Sequence, residues 1–148
     1  MSASNDFENK LLLYLFNNTA IADIGDATGI PATGAAGSTQ LSLSSTPGPA
    51  DTDAVLTVNE LAYTGYARQT QARSSGGWTV SGNSASNAAL IQFGNMTAGG
   101  PVTAHTVGLG FISTGSVSRL WATLTADLVI NNGVNPQFAI GACAWTLD

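Results

Sequence analysis

The stretches Thr103-Ala104-His105-Thr106-Val107-Gly108-Leu109-Gly110-Phe111-Ile112 and Arg119-Leu120-Trp121-Ala122-Thr123-Leu124-Thr125-Ala126-Asp127-Leu128-Val129 decide the fold. Both are rich in Thr, Val and Leu and lack helical apolar spacing, so both predict β-strands. Working outward, Gln40 to Leu43 alternates polar and apolar residues, and Val55 to Val58 does the same. Further strands are expected at Tyr66 to Arg73, Trp78 to Ser81, Ala88 to Phe93 and Ala139 to Leu147, about eight in total. Turn residues punctuate them. Ser74-Ser75-Gly76-Gly77 reads as a hairpin connection, and Gly82-Asn83, Gly115, Asn131-Asn132-Gly133 and Asn135-Pro136 mark further reversals. Pro47-Gly48-Pro49 lacks the donors and dihedral freedom of a central strand and forces an exposed loop. An α/β fold would need long helical segments between strands, and none is apparent after Phe16.

The one predicted helix spans Asn5 to Phe16. Asn5 is placed as its cap, Glu8 as the partner in a capping box, and Asn17-Asn18 as its end. Phe7, Leu11, Tyr14 and Leu15 form an apolar stripe, which Leu12, Leu13 and Phe16 widen until two faces need cover. Ala20 to Ser38 follows as an irregular arm rich in Gly, Ala and Thr. Residues 1–38 therefore read as helix and arm, and 39–148 as a β-sandwich domain, the whole forming one folding unit.

A chain of 148 residues can bury a core without disulfides, and its single cysteine excludes an internal one. Only 13 residues are charged, 4 basic and 9 acidic, for a net charge of −5. Four scattered cations do not make the basic patch that a phosphate backbone requires, so nucleic acid is not an expected partner. The longest wholly apolar run, Leu11 to Phe16, is too short to cross a bilayer, and no membrane partner is expected.

Residue chemistry offers little catalysis. His105 is the only histidine and has no evident carboxylate partner in the sequence; a symmetry axis could gather several copies of it. G-x-S-x-G, G-x-G-x-x-G and P-loop patterns are all absent. Asp51-Thr52-Asp53 supplies too few oxygens for calcium, and Asp23 and Asp26 read as caps of local backbone. Cys143 lies in an apolar strand context, where a thiol is inert. Trp78, Trp121 and Trp145 read as core anchors, with a sugar platform at Trp78 or Trp121 as the alternative. No catalytic residue, cofactor or metal is assigned.

The segment Asn59-Glu60-Leu61-Ala62-Tyr63-Thr64-Gly65-Tyr66-Ala67-Arg68, with Gly77-Trp78-Thr79-Val80 and Ser86-Asn87-Ala88-Ala89, resembles small virion proteins of tailed bacteriophages. Ser4 to Phe16 would be that family's capped N-terminal helix, and Ala139 to Asp148 its closing strand. The resemblance implies a structural role in a virion and carries over no catalytic residue. An exterior of Ser, Thr, Asn, Gly and Ala supports this, because neutral groups are buried between subunits without the cost of desolvating ions.

The expectation is thus an all-β, jelly-roll-like sandwich that acts as a capsid cement or decoration protein on the head exterior. Its expected partners are the major capsid protein and its own copies in a homo-oligomer. Phe7, Leu11, Leu12 and Phe16 are the candidate anchors, and Pro47, Pro49, Asp51 and Asp53 line the candidate contact loop. A tail, baseplate or tail-fibre subunit, or a carbohydrate-binding module on a fibre, is the alternative.

Overall fold

Ser4 starts the helix, one residue before the predicted cap. In the computed structural model its Oγ accepts from the Phe7 N–H at 3.3 Å. The resulting helix α1 runs Asn5–Asn17 and ends where Asn18 turns left-handed (φ 54°). Glu8 thereby falls one position past the place a capping box needs. The buried stripe is Glu8, Leu12 and Phe16, at i, i+4 and i+8, rather than the Phe7, Leu11, Tyr14 and Leu15 series. The structure describes residues 3–25, 29–111, 117 and 120–147.

Nine strands follow among the described residues: β1 (Ser38–Ser44), β2 (Gln69–Ala72), β3 (Trp78–Ser81), β4 (Ser84–Asn87), β5 (Ile91–Gln92), β6 (Val102–Gly110), β7 (Leu120–Ile130), β8 (Gln137–Phe138) and β9 (Ala144–Thr146). They form antiparallel sheets ordered β2-β1-β6-β7, β3-β4-β9 and β5-β8. The fold is all-β with one N-terminal helix, consistent with a β-sandwich.

Contacts gather the chain into two compact units, each discontinuous in sequence. One contains 1–38, 71–90 and 138–148; the other contains 39–70 and 91–137. In the first, α1 packs on β3 and β4, and Phe16 meets Trp78 edge-on at 4.8 Å. α1 has no basic residue in its last turn, and Arg73 supplies that charge. Its Nε and Nη2 donate to the Leu15 and Tyr14 carbonyls at 2.7 and 2.8 Å, and Nη1 donates to Ala36 O at 3.1 Å. The arm is fastened too. Ile21 and Ile30 exchange backbone hydrogen bonds, Asn18 bonds Thr33, and Lys10 pairs with Asp6 and Asp23. Asp23 is thus an ion-pair partner of Lys10, and its carboxylate also accepts from its own backbone N–H; Asp26 lies outside the described residues.

In the second unit β1 and β6 are central strands, buried on both faces over Leu41–Ser44 and Thr106–Gly110. Val55 to Val58 is not a strand. Val55 makes one isolated bridge, the next residues turn, and Leu56 seats over Gly108, where a Cβ would collide with it, and beside Gly110. Ser74 to Gly77 turns the chain but makes no hairpin, since β2 and β3 lie in different sheets. The two-residue hairpin loop is Gly82-Asn83 between β3 and β4, with Gly82 at φ +58°.

Candidate functional site

Residues 59–68 build the most connected polar cluster among the described residues. Leu61 N donates to Leu43 O at 2.9 Å, which lays residues 60–61 beside the end of β1. Gly65 then reverses the chain with φ +102°, and a Cβ there would meet Asn95 O at 2.1 Å. The reversal returns Tyr66 and Arg68 to Glu60. Arg68 grips the carboxylate with two parallel bonds, Nε to Oε1 at 2.7 Å and Nη2 to Oε2 at 2.6 Å. Tyr66 Oη donates to Glu60 Oε1 at 2.9 Å and accepts from Leu43 N at 3.0 Å, while Arg68 Nη1 reaches Gln40 Oε1 at 3.2 Å.

The Glu60 contact holds Arg68 above its ordinary ionisation range, and burial pushes the Tyr66 phenol far up. With its charge neutralised by a bidentate fork, Glu60 is a fastener of this segment to β1 rather than a free base. Beside it lies an open cleft of about 630 Å³, lined by Thr57, Glu60, Leu61, Ala62, Tyr63, Thr64 and Tyr66. Its aromatic rings are engaged from within. Tyr63 donates to Gly94 O and meets Tyr66 edge-on, and Tyr66 stacks on Phe93 at 6.0 Å.

His105 does have a carboxylate partner: its Nδ1 lies 2.6 Å from Asp127 Oδ1. The register of β6 and β7 explains why. Ala104 pairs with Leu128 and Thr106 with Thr123, so Leu124 to Asp127 bulge opposite His105 alone. The next residue, Thr106, points to the opposite face of the sheet, so its hydroxyl cannot complete a nucleophile–base–acid arrangement with the dyad. Among the described residues no three metal-ligating side chains gather.

The expected helix anchors need correction. Leu12 and Phe16 are spent in the core of their own unit, where Phe16 packs against Trp78; Leu11 is half-buried, and only Phe7, 39% exposed, faces solvent. In the contact loop Pro47 and Asp51 are exposed and Pro49 is half-buried. Asp53 is committed to the loop itself, its Oδ2 accepting from Ala50 N at 2.7 Å. Trp78 is fully buried and offers no sugar platform; Trp121 is half-buried. Burial pushes the Cys143 thiol up to about 11, partly offset by the Trp145 indole.

The exposed apolar side chains lie elsewhere. Ile140 stands 70% exposed on a tight turn, in which Ala142 N donates to Ala139 O and Gly141 has φ +79°. Asn87 fixes that turn. Its Nδ2 donates to both Ala139 O and Ala89 O, its Oδ1 accepts from Cys143 N, and its carbonyl accepts from Gly141 N. Leu90, also exposed, follows directly on Ala89. Neither Asn87 nor Asp127 is conspicuous in sequence, because each acquires its partners only through strand register.

No protein-family model matches this chain, and no curated protein matches it. No helix among the described residues is long and apolar enough to cross a membrane.

Proposed function

We propose that this chain is a structural protein of a tailed-phage virion, a cement or decoration subunit that binds neighbouring capsid subunits and its own copies without covalent chemistry. One observation carries the reading. Phe7, Val55, Leu90, Leu128, Val129 and Ile140 are large apolar side chains held at the surface, while every described cation is occupied by groups of its own chain. A surface that is apolar and poor in free charge is inexpensive to desolvate and suits burial against another protein. The edge strand β7 adds to this. Eleven residues long, it carries neither Lys nor Pro to deter pairing, and its protection is its bulge and the single charge of Asp127 within it.

Ile140 and Leu90 replace Leu12 and Phe16 as the anchors, because the Asn87 hydrogen bonds hold their loops in place before any partner arrives. The test is co-sedimentation with purified particles. The wild-type chain is expected to pellet with them, and Ile140→Asp, with an unchanged circular dichroism spectrum, to stay in the supernatant. Wild-type protein left in the supernatant refutes the role; equal pelleting of both refutes the anchor.

A further inference from the structure

Ser42, Ser44 and Thr106 lie on one face of the β1–β6 ladder, where Ser44 is in register with Thr106 and Ser42 with Gly108. All three are buried, at 1, 1 and 4% exposure, and none of their hydroxyls has a hydrogen-bond partner among the described residues. The chain from Thr46 to Asn59 covers them. Gly48 approaches so closely that a Cβ there would lie 2.5 Å from Thr106 Cγ2, and one on Gly108 would lie 2.8 Å from both Leu56 Cδ2 and Ser42 Oγ. The cover is tied at its ends, where Asn59 Nδ2 donates to Pro47 O at 2.7 Å and Ser45 N donates to Asn59 O at 2.9 Å.

Small size alone does not account for these residues, since Ala would fit under the same cover. Three buried hydroxyls left unbonded would consume a large share of the stability of a chain this size. An internal water makes about three hydrogen bonds, and three buried, unpartnered hydroxyls on one face of the ladder offer it that number of partners. We propose that one ordered water molecule is bound beneath the Thr46 to Asn59 segment, bridging Ser42 Oγ, Ser44 Oγ and Thr106 Oγ1. The segment is thereby sealed onto the sheet by a polar contact, and the Pro47 to Asp53 loop is presented as a fixed surface.

A crystal structure at about 1.5 Å tests this on the wild-type protein. Expected is a single density peak about 2.7–3.0 Å from the three oxygens. Hydroxyls turned onto their own strand carbonyls, with no such peak between them, overturn the proposal. Urea unfolding of Ser44→Ala and Thr106→Val gives a second reading, against hydroxyls left without any partner. Loss of a water-bridged hydroxyl lowers the folding constant roughly two- to tenfold, whereas removal of an unbonded one raises it. Neither measurement involves virions, so either result is independent of the proposed role.

Discussion

Replacing Arg68 by Met tests the Glu60 cluster directly. The two side chains are only 16 and 15% exposed, so the pair is largely withdrawn from water. Met retains much of the stem's apolar contact but leaves the Glu60 carboxylate with the Tyr66 hydroxyl alone. Uncompensated burial of one charge costs about 3–5 kcal/mol, and the residual exposure places this site near the lower end, about 3 kcal/mol. With a urea m-value of about 2 kcal/mol/M, the midpoint should fall by about 1.5 M. Glu60→Gln removes the charge that Arg68 answers, so the double variant Glu60→Gln/Arg68→Met should be less destabilised than the two single losses summed, with a coupling of about 2 kcal/mol. Equilibrium urea curves for the four proteins decide it. A midpoint for Arg68→Met within 0.25 M of wild type, or strict additivity in the cycle, would show that the cluster does not fasten this segment.

Arg73→Ala removes three bonds to the carbonyls of α1 and the arm and should cost about 2–4 kcal/mol, read from thermal and urea unfolding. Phe16→Ala should cost about 3–5 kcal/mol by emptying a fully buried site, whereas Phe7→Ala should stay within about 0.5 kcal/mol; the reverse order would restore the stripe expected from sequence. The Cys143 thiol, buried and held at about 11, should resist iodoacetamide at pH 8 in the native protein and react promptly in urea. Because the unfolded thiol ionises near its ordinary value of about 9, this group stabilises the fold fully below pH 9, and the contribution falls away between pH 9 and 11. A native-state labelling rate equal to that in urea would contradict the burial.

The strand character of the chain was legible because β-branched residues and turn residues act locally. Trp78–Ser81 was read at its correct bounds, and α1 within one residue at each end. What sequence missed depends on partners distant along the chain. Val55 to Val58 alternates like a strand, yet Leu56 is wanted as a plug over Gly108 of β6. Phe7 and Leu11 fit the helical period as well as Leu12 and Phe16 do, and only the position of Trp78 selects between them. His105 found Asp127 because a four-residue bulge in β7 stands opposite it, and strand periodicity carries no signal for a bulge. Arg73 at the end of α1 is likewise a product of the tertiary path.

A reconstruction of the intact phage particle is the most direct measurement of the proposed role. Copies of this chain are expected on the head shell, with the Ala139–Ala142 turn and the outer edge of β7 buried against neighbouring subunits. Particles whose head carries no density for the chain, or copies on the head whose Ile140 and β7 edge face solvent, would contradict that role.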